Sequence, residues 1–318
     1  MFNTPSAPAG AAIVAFGEYQ PSRVVTNADL EARVETTDEW IRSRVGIEER
    51  RVAGPDDTVA SMGVAAGGKA LAASGLSPDD IDLVVVATCT ATDQIPNTAA
   101  TVAARLGITA PGAFDVNAAC AGFCYALGVA SDAVRAGSAR NVLVVGSEKL
   151  SEWVDWDDRS TCVIFADGAG AVVVSAAEEH GIGPVVWGSD GDRADKIYLR
   201  DHKYLHQEGQ AVFRWTTTEL YKVALEALDR AGVEPGELTA FVPHQANLRI
   251  VESIARKLGA PQALVARDIV TAGNTSSASI PLALSRMVGR GELPSGSTVL
   301  TLGFGAGLVY AAQVIRIP

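Results

Sequence analysis

The sequence is poor in cysteine, histidine and aromatic residues, and it contains no long apolar run. Of its 318 residues, four are cysteine, four are histidine and 6% are aromatic. No apolar segment reaches the roughly 18 residues of a membrane-spanning helix. The first ten residues also lack the charged-then-apolar pattern of a secretory signal. These absences predict a protein that enters no membrane and works in the cytoplasm.

Basic residues are in the minority. Lys and Arg number 26 against 37 Asp and Glu, which gives a formal net charge of −11. Nucleic-acid binding normally needs a basic surface, so the charge argues against such a partner.

In a chain without a secretion signal the cysteines are expected as free thiols. No His or second Cys pair lies near Cys120 and Cys124 in sequence, so no metal site is expected.

Hydrophobic residues, by contrast, make up 48% of the chain, and the mean hydropathy is +0.18. Short β-branched runs alternate with helical patterns, which predicts an α/β fold whose sheets are covered on both faces. The clearest runs are LVVVAT (83–88), NVLVVG (141–146), CVIFADGAGAVVVSA (162–176) and STVLTLGFGAGLVYAAQVIRI (297–317).

Internal repetition predicts two duplicated halves, 1–176 and 177–318. Three pairs of segments match in the same order, including glycines at 75 and 232 that suit the left-handed position after a helix. The pairs are 70–88 with 227–245, GAGAVVV (168–174) with GAGLVYA (305–311), and 114–137 with 267–291. The duplication makes the corner around Cys120 and the corner around Asn274 equivalent places.

Cys120, His244 and Asn274 each follow a predicted strand. Ligand sites in α/β sheets form beyond the carboxyl ends of strands, so two packed halves could bring the three side chains together. A thiol at a helix N-terminus is favoured as thiolate by the helix dipole, and a nearby imidazole would supply the rest of the activation. Taken singly, Cys120 could fill a helix–sheet contact, His244 could be a hydrogen-bonded core residue, and Asn274 could be a turn residue.

Seven motifs in order resemble the 3-oxoacyl-[acyl-carrier-protein] synthase III family of the thiolase superfamily, over essentially the whole chain. They are TTDEWIRSRVGIEERR (36–51), NAACAGF (117–123), DRSTCVIFADGAGA (158–171), EGQAVFRW (208–215), VPHQANLRI (242–250), GNTSSAS (273–279) and GFGAG (303–307). The resemblance implies a five-layer αβαβα sandwich that works as a homodimer. It also implies condensation of an acyl-coenzyme A primer with malonyl-carrier protein, with loss of CO₂ and no resident cofactor.

The resemblance further implies roles for individual residues. Cys120 is expected to carry the acyl group, and His244 and Asn274 to hold the thioester carbonyl of malonyl-carrier protein. The backbone N–H groups of Cys120 and Ala306 would form the oxyanion hole. Phe304 would provide an apolar wall beside the leaving carboxylate.

Substrate and partner contacts follow from the same resemblance. Trp40, Arg44 and Arg159 would bind the nucleotide of coenzyme A, whereas Gly209, Phe213 and Asn247 would line the pantetheine tunnel. Arg249, Arg256 and Lys257, spaced by seven and eight, are expected on one helix face, where they could steer an acidic carrier protein. A solvated helix face is the alternative for these three, and a hydrophobic plug is the alternative for Trp40.

One departure from the family concerns the acyl pocket, where a phenylalanine from the dimer mate is common and this chain has Ile95. A smaller, branched side chain there predicts tolerance of branched or longer primers. Rival interpretations are a starter-unit synthase of a polyketide pathway, an acyltransferase that never decarboxylates malonyl, and a silent binder of coenzyme A or carrier protein.

Overall fold

The structure, a computed structural model, describes residues 8–93 and 95–318. Residues 1–7 and Gln94 lie outside this description, so most of the N-terminal segment used to predict a cytoplasmic location is not part of it.

Two five-stranded sheets and two two-stranded sheets contain the strands of the described residues. In chain order the strands are β1 (Gly10–Tyr19), β2 (Arg23–Thr26), β3 (Glu49–Val52), β4 (Leu83–Ala87), β5 (Gly112–Val116), β6 (Asn141–Lys149), β7 (Asp167–Ala177), β8 (Val186–Ser189), β9 (Ile197–Arg200), β10 (Tyr204–Gln207), β11 (Ala240–Pro243), β12 (Leu264–Val265), β13 (Thr298–Gly305) and β14 (Val309–Arg316). The two-stranded sheets pair β2 with β3 and β9 with β10.

The helices connect these strands and cover the sheets. They are α1 (Asn27–Glu31), α2 (Asp38–Val45), α3 (Val59–Ser74), α4 (Thr98–Arg105), α5 (Gly122–Arg135), α6 (Gly209–Ala231), α7 (Leu248–Ala255), α8 (Ile269–Ala272) and α9 (Ser279–Gly289).

The two large sheets repeat one topology. The first has the order β1-β7-β6-β4-β5 and the second, written from its other edge, has the order β8-β14-β13-β11-β12. In both, the first three strands are antiparallel and the last three are parallel. Helix α3 covers the first sheet, α6 covers the second, and α5 and α9 pack between them in one shared core. This is the predicted five-layer sandwich.

Strand register gives the residue-by-residue equivalence of the halves. Val85 pairs with Val144 in the first sheet, and Val242 pairs with Thr301 in the second. The helices that precede these strands both end on a left-handed glycine, Gly75 with φ 72° and Gly232 with φ 65°, as predicted. The predicted boundary at 176/177 falls at the last residue of β7, and the division into domains stays a prediction.

One of the three sequence pairings is wrong. Val144 pairs with Val172, and its equivalent Thr301 pairs with Gln313, so Val172 matches Gln313. Aligning GAGAVVV with GAGLVYA would instead match Val172 with Val309. The reason is that the first GAG lies inside β7, whereas Gly305 ends β13 and the following residues form the turn into β14.

Candidate active site

Cys120 lies at the corner between β5 and α5. After Val116 the chain passes through one 3₁₀ turn, Ala119–Ala121, and α5 begins at Gly122. Ala119 has a φ of 44°, in the left-handed region that non-glycine residues rarely adopt. The thiol is partly exposed and stands directly before a helix N-terminus, as predicted.

Asn274 lies at the matching corner before α9. Its backbone joins the loop at 164–166, where Asn274 N–H donates to Ile164 O at 3.0 Å and Ala166 N–H donates to Asn274 O at 2.9 Å. Its side-chain Oδ1 accepts from Ser276 N–H at 2.9 Å. Within residues 8–93 and 95–318 the Nδ2 amide has no hydrogen-bond partner, so it can donate to a ligand.

His244 follows β11, and its ring is 1% exposed. Its Nδ1 lies 2.7 Å from Ser279 Oγ, and the ring meets the Phe304 ring edge-on with centroids 5.2 Å apart. Burial lowers the pKa of His244 to about 3, so the imidazole is neutral at physiological pH. A neutral imidazole lends Cys120 no positive charge, and the role expected for His244 as a donor to the thioester oxygen stays a prediction.

The tautomer of His244 follows from Ser279. Ser279 Oγ already accepts from Gln245 N–H at 3.2 Å, and in the described part of the chain its only other partner is His244 Nδ1. The serine hydroxyl must then donate to Nδ1, because it has no other acceptor. This leaves the imidazole hydrogen on Nε2, where it is available to a ligand.

The three predicted side chains are joined by short contacts. Ser276 lies close enough to the Cys120 sulfur to lower its pKa, and Ser276 N–H is the group that holds Asn274. On the other side Gly305 abuts Cys120 so closely that a Cβ there would lie 2.9 Å from the Cys120 Cβ. Its neighbour Phe304 contacts His244. The structure therefore packs the turn of Cys120 against the turn that follows Asn274 and against β13, whose Phe304 ring contacts the neutral His244 imidazole.

The resting thiol is not preactivated by charge. Burial raises the pKa of Cys120 to about 12, the nearby Glu148 adds to the rise, and the nearby Ser276 hydroxyl opposes it. A thiol of this kind is protonated at neutral pH, so its activation must come from the arriving thioester and from the helix N-terminus rather than from a neighbouring cation.

The predicted nucleotide residues form a cluster at the surface. The guanidinium carbon of Arg159 lies 4.8 Å from the centre of a Trp40 ring, and that of Arg44 lies 6.0 Å away. Asn247 begins α7 as its N-cap and donates from Nδ2 to Arg44 O at 3.1 Å. Gly46 ends α2 with a φ of 81° and touches Leu248, which docks α2 on α7.

The predicted tunnel residues and the basic residues meet along α6. The Arg249 guanidinium lies 5.2 Å from the Phe213 ring centre, and the Lys257 ammonium lies 4.9 Å from the Tyr221 ring centre. Phe213 packs on the cluster that contains Phe304. Arg249 in α7 and Lys257 in the turn after it each contact an aromatic ring of α6. Helix α7 ends at Ala255, so Arg256 and Lys257 lie beyond the helix on whose face they were predicted.

The remaining predicted residues differ in how far the structure brings them to the site. Gly209 begins α6 with open space around its Cα. Arg256, an exposed residue, caps the C-terminus of α7. Ala306 directly follows Gly305, which places its backbone beside Cys120. Ile95 is 91% exposed on this chain and does not reach its own thiol.

Known proteins identify the family. The 3-oxoacyl-[acyl-carrier-protein] synthase III model matches residues 114–191, and the model of its C-terminal part matches residues 228–317. A Streptomyces coelicolor protein named beta-ketoacyl-[acyl-carrier-protein] synthase III 4 is 57% identical over 97% of this chain and 99% of its own. The chain belongs to the 3-oxoacyl-[acyl-carrier-protein] synthase III family.

Solved structures of similar proteins support the same family assignment. A priming beta-ketosynthase from the R1128 polyketide biosynthetic pathway superimposes with a TM-score of 0.97 and 43% identity, covering 100% of this chain and 98% of that one. The synthase III of Aquifex aeolicus VF5 gives a TM-score of 0.93 and 42% identity, covering 96% and 100%. The fold is the thiolase-like sandwich, and the protein is an acyltransferase of the ketosynthase class.

Three residues of the synthase site were missed by sequence reasoning. Ser276, Ser279 and Glu148 lie in GNTSSAS and VGSEKL, where they read as ordinary polar residues. Only the pairing of Ser276 Oγ with Glu148, 128 positions apart, reveals a network.

None of the helices in the described residues combines the length and apolar character needed to cross a bilayer.

Proposed function

We propose that this synthase transfers an acyl group from acyl-coenzyme A to Cys120 and condenses it with malonyl-[acyl-carrier protein]. The products are 3-oxoacyl-carrier protein, coenzyme A and CO₂, and the reaction starts fatty acid synthesis. The observation that carries this proposal is that the turn of Cys120 packs both on the turn that follows Asn274 and on β13, whose Phe304 ring contacts neutral His244.

In the first half-reaction, the Cys120 sulfur attacks the carbonyl carbon of the acyl-coenzyme A thioester. A new carbon–sulfur bond forms, the bond to coenzyme A breaks, and coenzyme A leaves as a thiol with the hydrogen that Cys120 gives up. The backbone N–H groups of Cys120 and Ala306 would hold the oxyanion. The contact between Gly305 and Cys120 supports this pairing, and one such donor typically contributes about 10²–10³ in rate.

In the second half-reaction, His244 Nε2–H and Asn274 Nδ2–H would donate to the thioester oxygen of malonyl-carrier protein. The carbon–carbon bond to the carboxylate breaks, CO₂ leaves, and the electron pair becomes an enolate held by these two donors. The enolate carbon then attacks the acyl-Cys120 carbonyl, and the thiolate of Cys120 departs. The Phe304 ring offers the carboxylate no hydrogen bonds, which favours its loss as neutral CO₂.

Coenzyme A docking is supported by the surface cluster of Trp40, Arg44 and Arg159. A tryptophan face can stack on an adenine, and two guanidinium groups can pair with phosphate oxygens. From there Asn247 and Phe213 lead along α6 and α7 towards Phe304, which fits a tunnel for the pantetheine arm.

Carrier-protein docking is supported by Arg249, Arg256 and Lys257. None of the three forms an ion pair within residues 8–93 and 95–318, although the whole chain is acidic. Unpaired cations at the tunnel mouth can steer an acidic partner.

We expect Arg249→Glu to weaken turnover with malonyl-carrier protein and to leave self-acylation from acyl-coenzyme A intact. Arg105→Glu, an exposed site on the equivalent helix α4, is the matched control and should change neither rate.

The proposal includes a homodimer in the cytoplasm, without a resident cofactor. Strand β5 lies at the edge of its sheet and exposes Phe114, and a strand edge of this kind can pair with a second copy. Exposed Ile95 would then close the acyl pocket of the partner. Four free thiols fit a reducing compartment.

One experiment separates the candidate functions. The protein is incubated with labelled acyl-coenzyme A, the mass added at Cys120 is measured, malonyl-carrier protein is added, and CO₂ is counted. The proposal requires both the adduct and CO₂. No adduct would indicate a binding protein, and an adduct without CO₂ would indicate an acyltransferase.

A second candidate, a starter-unit synthase of a polyketide pathway, is favoured by the 0.97 TM-score to the R1128 priming ketosynthase. Acylation rates with acetyl, branched and longer acyl-coenzyme A distinguish the two. A strong preference for acetyl would support housekeeping fatty acid synthesis and contradict the tolerance predicted from Ile95. A strong preference for a longer primer would favour the polyketide pathway.

A further inference from the structure

Arg50 is a fully buried arginine near the active site that the proposed reaction does not use. It lies in β3 and is 0% exposed, and burial lowers its pKa to about 10, so the guanidinium stays positively charged at neutral pH. Within the described ranges 8–93 and 95–318 its neighbour Arg51 pairs with Glu49 at 3.6 Å, whereas Arg50 forms no ion pair. A buried cation without a carboxylate is costly unless hydrogen bonds replace its hydration.

The guanidinium of Arg50 joins two separate segments of the first half. Nη1 donates to Asn27 Oδ1 at 2.9 Å and to Val25 O at 3.1 Å, and Nη2 donates to Val163 O at 2.9 Å. Val25 lies in β2 and Asn27 begins α1, whereas Val163 is 113 positions from Arg50 in sequence. A planar guanidinium with two amino groups can hold both segments at once.

The segment that begins at Val163 also holds the backbone of Asn274. Ile164 O accepts from Asn274 N–H at 3.0 Å, and Ala166 N–H donates to Asn274 O at 2.9 Å. The peptide groups on both sides of the Asn274 Cα are therefore bonded to this segment, and Arg50 binds the carbonyl group directly before it. A displacement of Val163 would move the Asn274 backbone with it.

Arg50 also contacts Gly273, the residue before Asn274. Gly273 has a φ of 73°, in the left-handed region, and a Cβ added to it would lie 2.9 Å from the Arg50 Cβ and 2.7 Å from the Ala166 Cβ. The stem of Arg50 therefore packs directly on this glycine. One polar contact and one apolar contact thus connect Arg50 to the backbone of Asn274.

We propose that Arg50 is a positioning residue for the second half-reaction, because it fixes the segment 163–166 and thereby the place from which the Asn274 amide donates to the enolate. The inference rests on the proposed role of Asn274 as that donor. Acylation of Cys120 does not use the Asn274 amide in the proposed mechanism. Loss of the guanidinium should therefore slow the release of CO₂ and leave acyl transfer to Cys120 nearly unchanged.

Coenzyme A binding should not depend on Arg50, although Asn27 connects Arg50 to α2. Asn27 Nδ2 donates to Asp38 Oδ1 at 2.7 Å and to Ile47 O at 2.9 Å, so Asn27 holds the two ends of α2 by bonds of its own. Neither bond involves the guanidinium. Trp40, which α2 carries, should keep its place in a variant of Arg50.

The test compares the two half-reactions in Arg50→Lys, which keeps the stem and the charge but replaces the planar guanidinium by a single ammonium. Acyl-Cys120 formation from acyl-coenzyme A is followed by mass. Release of CO₂ is then followed in a single turnover of the preformed acyl-enzyme with saturating malonyl-carrier protein. We expect CO₂ release to slow by about 10- to 100-fold and acylation to change by less than about twofold, because only the second step needs the amide in place.

A double-mutant cycle separates positioning from a general structural defect. In the Asn274→Ala background no amide remains to be positioned, so adding Arg50→Lys should slow CO₂ release by less than about twofold. A structural defect would instead slow it by the same factor in both backgrounds.

Two further variants serve as controls. Arg51→Lys changes the neighbouring arginine, which pairs with Glu49, and should change neither rate. Leu71→Ala truncates a buried side chain of α3 in a separate core cluster. It should lower the melting temperature without changing the ratio of the two rates.

Equal slowing of both half-reactions in folded Arg50→Lys, unchanged CO₂ release, or the same loss in both backgrounds of the cycle would overturn the proposal. Should Arg50→Lys fail to fold, Arg50→Gln, which keeps an NH₂ donor and removes the buried charge, takes its place in the same cycle with the same deciding outcomes. Failure of the proposed function would appear separately, in the protein with Arg50 intact, as a missing acyl adduct or as CO₂ release that Asn274→Ala does not slow.

Discussion

The corner around Cys120 and the corner around Ser277 occupy equivalent places in the two halves, yet only one presents a nucleophile. Both consist of a short 3₁₀ turn before a helix, Ala119–Ala121 and Ser276–Ala278. Cys120 and Ser277 are the middle residues of these turns, and strand register matches Gly305 at the end of β13 with Glu148 on β6. Cys120 therefore faces a glycine backbone, whereas Ser277 donates to a carboxylate at 2.8 Å.

The residues around the two corners also differ. His244 is equivalent to Ala87, whose carbonyl oxygen lies 2.8 Å from Ser277 Oγ. Ser279, which holds His244, is equivalent to Gly122, which packs on Ala87. Among the described residues, the Asn274 amide near the first corner keeps a free donor, whereas the Ser277 hydroxyl at the other is satisfied by a carboxylate. The comparison teaches that a duplicated backbone offers two equivalent sites, and that side chains from the opposite half decide which one can react.

The sharpest way to break this comparison is to remove the two equivalent side chains. Cys120→Ala should lower turnover by about 10³-fold or more and abolish the acyl adduct, because the covalent intermediate cannot form. Ser277→Ala should still form the adduct, at a stability cost of about 1–3 kcal/mol for the lost donor to buried Glu148. Adduct mass and thermal unfolding measure the two effects. A folded Ser277→Ala protein without adduct would contradict the asymmetry.

The equivalent asparagines give the next largest contrast. Asn274 and Asn117 both accept from the N–H two residues ahead, at 2.9 and 3.3 Å. We expect Asn274→Ala to slow CO₂ release by about 10²–10³-fold, because one donor to the enolate is lost. Asn117→Ala removes the same kind of turn bond and should leave the rate unchanged. Similar rate losses in both variants would indicate that Asn274 acts only as a turn residue and does not donate to the enolate.

Two glycines test whether the backbones are equally tight at the two corners. An added Cβ at Gly303 would lie 2.8 Å from Ala121 Cα, and one at Gly146 would lie 2.6 Å from Ser277 O. Each Gly→Ala change should cost about 1–3 kcal/mol in unfolding free energy. Only Gly303→Ala should also slow acylation, since Ala121 adjoins Cys120. The control Gly68→Ala, in helix α3 with its nearest contact at 3.4 Å, should be neutral or slightly stabilising.

The last contrast concerns His244, which has no ionisable counterpart at Ala87, and its effect on stability is small near neutral pH. The folded pKa of about 3 lies below the ordinary value of 6.5, so the unfolded chain binds the extra proton between these values. Stability should therefore fall as pH drops below about 6.5, by at most about 1.4 kcal/mol per pH unit from this group. Denaturant unfolding of wild type and of His244→Asn measures the difference. Identical pH slopes would show that His244 is not buried as a neutral ring.

Much of the fold could be predicted because its signals are local. Alternating β-branched and helical segments indicated the layered α/β architecture, and Gly75 and Gly232 indicated the ends of equivalent helices. The GAG pairing failed because a shared tripeptide does not fix strand register, which depends on the cross-strand partners of Val172 and Gln313. Motif order indicated the family before any geometry was known.

The sequence named candidate site residues and said little of their electrostatics. Cys120, His244 and Asn274 were named from strand ends and motifs, and their roles stay predictions. The neutral state of the imidazole could not be predicted, because a sequence does not report that His244 is sealed between Phe304 and Ser279. Glu148 and Ser276 were missed, because a polar residue in a short motif carries no sign of a partner in the other half.

The sequence by itself determined the order of strands and helices, the duplication and the choice of candidate site residues, since these depend on near neighbours along the chain. Only the tertiary structure decided that the imidazole is neutral, that the resting thiol is protonated and that one of two equivalent corners keeps a nucleophile. Desolvation and hydrogen bonding set these properties, and both depend on groups that lie far apart in the chain and meet only on folding.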